Sequence, residues 1–178
     1  DPTLKLQKDE DTGQTILSGM GELHLEVIIS RMQREFKTNV NVGKPQVMYR
    51  ETIEKEGHAS AVFDKEVAGN RHYAEVALKL LPLERGSENR FRSEITDETI
   101  PDMFIPAIRR GVMESLESGA LMGYPVVDVE AVLTGGVYKE SLSTELAYTV
   151  SASMACKTAL TKGESFLLDP IMNVEVFV

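Results

Sequence analysis

Residues 118–144, SGALMGYPVVDVEAVLTGGVYKESLST, decide the fold. They read as the end of a helix, a turn, a strand, a polar loop and the start of a second helix. Val126, Val127, Val129, Ala131, Val132 and Leu133 form a β-rich apolar run broken only by Asp128 and Glu130. Gly135 and Gly136 follow, then a short segment that buries little. Beyond it the apolar spacing changes from period 2 to a helical period. A polar loop between a strand and a helix is held rigidly from both sides. It is therefore the expected working surface, and the rest of the chain its support.

The 178 residues suffice for one ordinary domain with added pieces, and 42% hydrophobic content supplies a real core. No stretch reaches the run of about 18 apolar residues that a membrane span needs, and no secretory signal opens the chain. The chain starts DPTLKLQ without Met, which suggests a processed or excised piece. The single cysteine, Cys156, excludes an intrachain disulfide and any cysteine cluster for zinc. In SASMACKTAL it reads as a small core residue. A formal charge of -9 argues against broad nonspecific nucleic-acid binding, though a local basic contact remains open.

Working outward toward the N-terminus, residues 3–8 and TILSGM read as two strands around the DEDTGQ turn, a hairpin. GELHLEVIISRMQREF is an amphipathic helix with a stripe of Leu25, Ile28, Ile29, Met32 and Phe36. Arg31 and Glu35 make an i,i+4 pair. NVNVGK reads as a third strand ending at Gly43. This β-β-α-β order is thin for a domain, so the chain is expected to begin inside one. After Pro45, QVMYRETIE and residues 59–63 read as strands. DKEVAGNRH reads as an interruption, and YAEVALKLLPLE as a long strand. FRSEI follows as a strand. FIPAIRRGVMESLESG is a helix with Ile105, Ile108, Val112 and Leu116 inward and Gly119 as its C-terminal cap. The last helix is expected to be capped by Ser143 and to turn Leu146, Val150, Met154 and Leu160 inward, with small residues permitting close packing. SFLLDP is extended, and IMNVEVFV reads as one more strand.

The sequence holds no GxxxxGK[ST] phosphate loop, no HExxH and no paired-cysteine pattern. GMGELH is not a dinucleotide fingerprint. His24, His58 and His72 are scattered, and Arg109 and Arg110 read as solvated surface. Two polar loops stand out, AGNRHYA at residues 68–74 and GGVYKESL at residues 135–142. If their strands are neighbours, both reach one end of the domain. Gly69, Asn70, Arg71, His72, Tyr73, Tyr138, Lys139, Glu140 and Ser141 would then form one tip. Arg71, His72 and Lys139 bring positive or switchable groups to it, and Tyr73 and Tyr138 can stack on bases or anchor the loops. Two ordinary solvent-facing loops are the alternative on these residues alone.

Longer segments carry a resemblance. SGMGELHLEVIISRMQREF with NVGKPQVMYRETI resembles the third domain of bacterial elongation factor G and its junction with the fourth. IPDMFIPAIRRGVMESLESGALMGYPVVDVEAVL and STELAYTVSASMACKTA resemble the fourth domain, and LLDPIMNVEVFV resembles its exit into the fifth. The resemblance covers essentially the whole chain. It implies an α+β fold. Residues 1–45 would be part of a ferredoxin-like third domain. Residues 46–170 would be a fourth domain like domain 2 of ribosomal protein S5, with a left-handed β-α-β crossover against the usual right-handed rule. Residues 171–178 would open a fifth.

The resemblance further implies a cytoplasmic, non-membrane translocase fragment, monomeric by itself. Its partners would be the ribosome, tRNA and mRNA in the decoding region. GTP and Mg2+ would belong to a first domain upstream, with no catalytic, cofactor or metal site in this fragment. Departures from the family pattern fall on the tip. The family commonly has GGRGQYGHV where this chain has AGNRHYAEV, and YHDVDSSE where it has YKESLSTE. Lys139 takes the place of a functionally important histidine, so it keeps a positive charge but not imidazole chemistry. A divergent recycling or ribosome-protection factor, or a noncatalytic RNA-binding assembly module, are the alternatives.

Overall fold

The computed structural model describes residues 2–9, 12–67, 69–96 and 98–171, and the chain divides into two compact units, Asp1–Met48 and Tyr49–Val178. The expected strand at IMNVEVFV lies outside the described residues except for Ile171. The architecture is α+β.

In the first unit, β1 (Lys5–Lys8) and β2 (Thr15–Ser18) pair antiparallel, and α1 (Glu22–Glu35) follows. Gly13, with φ 68, takes the left-handed turn position that an L side chain resists. Arg31 grips Glu35 through two hydrogen bonds of 3.1 and 3.2 Å, as the i,i+4 spacing dictates. The α1 stripe is only half-buried, and Phe36 at its end is 73% exposed. Its Leu25, Ile29 and Met32 line an open cleft of about 540 Å³ together with Leu6, Ile16 and Val40. The expected strand at NVNVGK does not form. Alternating Val and Asn supply the period of a strand, but among the described residues no ladder joins it to β1 or β2.

The second unit is built on a four-stranded sheet of order β4-β5-β7-β6. Its strands are β4 (Gly57–Val67), β5 (Asn70–Pro82), β6 (Arg90–Ser93) and β7 (Val129–Val137). β5 runs antiparallel to β4 and β7, whereas β6 and β7 are parallel and joined through α2 (Ile105–Ser118). A short 3-10 turn, Asp102–Phe104, leads into α2. α3 (Glu145–Lys162) follows β7, and β3 (Arg50–Ile53) pairs antiparallel with β8 (Ser165–Leu168).

Val76, Leu78 and Leu80 of β5 and Val129, Ala131 and Leu133 of β7 alternate into one core with Ile108, Val112 and Leu116 of α2. α3 adds Ala147, Tyr148, Ala152, Ala155, Cys156 and Ala159 to that core. Of the residues expected inward, Leu160 is buried and Val150 half-buried, but the other two are not. Leu146 and Met154 are 51% and 47% exposed, and the small residues face inward instead. Small side chains let α3 lie close to α2, where a methyl added at Gly111 would stand 2.3 Å from the Thr149 carbonyl oxygen. Cys156 is buried, and burial pushes its thiol up to about 12, so it is the expected core residue.

The apolar run after Pro125 is not one strand. Val126 makes an isolated parallel bridge to Glu51, and Asp128 turns the backbone through φ 61 before β7 begins at Val129. Aspartate tolerates that conformation, and its buried carboxylate accepts the Gly86 N–H at 3.1 Å and pairs with Arg85 at 3.4 Å.

Candidate nucleic-acid interface

The two polar segments converge at one end of the second unit. β5 and β7 are neighbours, and their ladder reaches Glu75 opposite Val137. The Tyr73 N–H donates to the Leu142 carbonyl at 2.9 Å, extending the link beyond β7 into the β7–α3 loop.

The first segment is not a loop of the expected length. β4 runs to Val67 and β5 starts at Asn70, in register from Gly57↔Leu80 to Val67↔Asn70. Gly69, with φ 80, sits in a tight turn, and Arg71, His72 and Tyr73 lie on strand β5. The residues DKEV look like loop because this end of the hairpin projects past the core, so no inward face is buried there. Likewise Gly135 and Gly136 belong to β7. A methyl on Gly136 would lie 2.4 Å from the Glu75 carbonyl oxygen, which explains glycine at a strand crossing point.

Each candidate cation has a partner within the fold. Arg71 forms a two-pronged bond to Asp64, both contacts 2.7 Å. Hydrogen bonding from Arg71 holds the Asp64 carboxyl below the usual carboxylate range, its charge and that of Lys139 adding to the effect, against a weaker opposing effect of desolvation. His72 Nδ1 lies 2.9 Å from Thr144 Oγ1. Lys139 Nζ sits 3.5 Å from the centroid of the Tyr73 ring, a cation–π contact. Tyr73 is 8% exposed, so it anchors the tip and offers no ring face to a base. Its hydroxyl donates to Glu75 at 3.2 Å, and burial, reinforced by Glu75, pushes the phenol up.

Thr144, not Ser143, caps α3, accepting the Ala147 N–H at 3.3 Å. Ser143 is turned inward on the loop and accepts the Lys139 N–H at 3.0 Å, while its own N–H returns to the Lys139 carbonyl at 2.9 Å. The loop thus closes on itself with Glu140 and Ser141 exposed at its apex, Ser141 at φ 65. Behind it, the Tyr138 ring leans on Phe104 at 5.8 Å between centroids, and Phe104 rests on Tyr148 at 4.8 Å. The Tyr148 hydroxyl donates to the Val137 carbonyl at 3.1 Å. Tyr138 keeps 39% of its surface in solvent.

A residue the sequence did not flag anchors the other end of the crossover. Glu51 is fully buried, and its carboxylate accepts the N–H groups of Ala120, Leu121, Met122 and Tyr124 at 2.8 to 3.3 Å. Gly119 is required there: its φ is 62, and a side chain would meet the Tyr124 carbonyl and both Glu51 oxygens. Desolvation pushes the Glu51 carboxyl up, but the four backbone donors outweigh it and leave it below the ordinary glutamate value. The signal for Glu51 in the sequence is slight, one acid in RETI.

Among the described residues, no cluster of three or more His, Cys, Asp or Glu is arranged to hold a metal ion, and no helix is long and apolar enough to cross a membrane.

Known families account for both units, and the class they define is that of the translation elongation factors. Residues 45–164 match the family described as elongation factor G, domain IV, and residues 1–44 match elongation factor G, domain III. The chain belongs to the elongation factor G family, as a stretch of its third and fourth domains. It is 49% identical over 176 residues to elongation factor G 2 of Syntrophomonas wolfei, covering 99% of this chain and 25% of that protein. Against elongation factor G 2 of Desulfotalea psychrophila it is 48% identical, with the same coverage of 99% and 25%. A crystal structure from Thermus thermophilus superposes with a TM-score of 0.80 at 36% identity, over 94% of this chain and 25% of that one. The chain spans about a quarter of the length of the curated relatives it matches.

Proposed function

We propose that this chain is the part of a ribosomal translocase that enters the decoding region and promotes movement of tRNA and mRNA. The observation that carries the reading is the convergence of the β4–β5 turn and the β7–α3 loop on one end of the sheet, tied by the Tyr73 to Leu142 hydrogen bond. Gly69, Asn70, Arg71, His72, Tyr73, Tyr138, Lys139, Glu140 and Ser141 make up this end. Residues 1–45 belong to a ferredoxin-like third domain. Residues 46–170 form a fourth domain of the ribosomal protein S5 domain 2 type with a left-handed crossover, and residues 171–178 begin a fifth.

The action at this end is steric and mechanical. GTP and Mg2+ bind in a distant domain of the full-length protein, which works in the cytoplasm. The replacement of the family histidine by Lys139 supports a second reading, in which the protein acts mainly in ribosome recycling. Full-length protein assayed side by side in single-turnover translocation and in post-termination splitting separates the two. Translocation at family-like rates supports the first reading. Splitting without translocation overturns it.

A further inference from the structure

The tip carries three candidate cations, each of which has a partner within the fold, with Arg71 and Lys139 exposed at the surface. Arg71 is neutralised by Asp64, the Lys139 ammonium lies on the Tyr73 ring, and His72 meets the cap of α3. Around them, the acids Asp64, Glu66, Glu75, Glu140 and Glu145 outnumber the cationic side chains Lys65, Arg71 and Lys139. A surface of this charge releases few counterions from a phosphate backbone. It is poorly suited to binding RNA by charge. What it does present is aromatic surface. Tyr138 is 39% exposed and backed by the Phe104 and Tyr148 rings, with the neutral Asn70 and Ser141 exposed on the same tip.

Resting on the reading of this end as the RNA-facing tip, we infer that it recognises unpaired bases by stacking on Tyr138, while Lys139 and Arg71 are positioning residues that shape the tip. Stacking on a buttressed aromatic ring requires no net charge and suits splayed, single-stranded RNA. Lys139 holds the β7–α3 loop against β5 through Tyr73, and Arg71 holds the β4–β5 turn through Asp64.

The test uses full-length factor on ribosomes carrying tRNA and mRNA, with single-turnover translocation rates and ribosome affinity measured across a salt series. Tyr138→Leu is expected to slow translocation about tenfold, the scale of one lost base stack, and Tyr138→Phe to restore it. Lys139→Met and Tyr73→Leu are each expected to slow it, with the double variant no slower than the worse single variant. Lys139→Arg is expected to restore it, because a guanidinium also sits on an aromatic face. The slope of log affinity against log salt should stay at the parental value in all of them. A slope reduced by about 0.7 to 0.9 in Lys139→Met, the amount for one lost phosphate contact, overturns the inference. So do additive effects in the double variant. If Tyr138→Leu, Lys139→Met and Tyr73→Leu, each folded as judged by circular dichroism, all translocate at the parental rate, the RNA-facing reading itself fails and the inference with it.

Discussion

Glu51→Ala should destabilise the crossover that supports the tip. The Glu51 carboxylate is fully buried and collects four backbone N–H donors from residues 120–124. The same residue's main chain is used on both sides: its N–H donates to the Pro125 carbonyl at 2.9 Å, and its carbonyl accepts the Val127 N–H at 2.9 Å. The substitution leaves the main-chain links and removes only the carboxylate. A hydrogen bond to a charged group is worth about 1.5–3 kcal/mol. The four are not additive, since Leu121 and Met122 are exposed and water can reach part of the loop. A net loss of about 3–4 kcal/mol is expected, the scale of an uncompensated buried polar cluster. For a unit of this size that lowers the melting temperature by about 10 °C.

Glu51→Gln should cost nearly as much, because its amide NH2 faces donors where an acceptor is needed. The pH dependence has a fixed sign. The folded carboxyl titrates below the unfolded one, so its contribution is complete above the unfolded value of about 4.3 and fades as pH falls through the folded value. The stability gap between parent and Glu51→Gln should therefore narrow in acid. Guanidinium unfolding followed by circular dichroism at several pH values measures this. A loss below about 1 kcal/mol for Glu51→Ala, or a gap that widens in acid, refutes the reasoning.

Two further predictions concern the helices. Gly111→Ala, which would stabilise an isolated helix by about 1 kcal/mol, should here destabilise by about 1–3 kcal/mol from overpacking against α3, because the new methyl would stand 2.3 Å from the Thr149 carbonyl oxygen. Thermal unfolding checks the sign. Cys156, buried with its thiol pushed up to about 12, should resist a thiol reagent in native buffer and react fully in denaturant. Fast labelling of native protein contradicts that packing.

The parts of the fold legible in the sequence are those where periodicity and burial agree. The β1–β2 hairpin, α1, α2 with its Gly119 cap and the part of the apolar run from Val129 onward follow from spacing. Legibility fails where burial is missing or where small residues do the packing. Asp64 to Val67 are exposed at a strand end that projects past the core, so a regular ladder reads as loop. In α3, Leu146 and Met154 attract attention by size, yet the close α2–α3 approach selects alanine and serine. NVNVGK has a strand's alternation but joins no ladder among the described residues.

At the candidate tip, sequence separation hides the partners. The two segments are linked by hydrogen bonds between residues about 70 apart in sequence, such as Tyr73 to Leu142. Composition marked Lys139, Arg71 and His72 as charged or switchable groups. It carried no sign that Tyr73, Asp64 and Thr144 engage them. Glu51 escaped for the same reason, since its partners are backbone amides of a loop distant in sequence and leave no pattern of residue types.

The central claim, that this end of the sheet meets the decoding region, is tested most directly by tethering. Full-length protein carrying Ser141→Cys, derivatised with an iron chelate at the exposed apex of the β7–α3 loop, is bound to ribosomes and triggered to release hydroxyl radicals. Strand cleavage confined to small-subunit RNA around the decoding region, together with the mRNA and tRNA held there, is the predicted result. Cleavage only at sites remote from the decoding region contradicts the account.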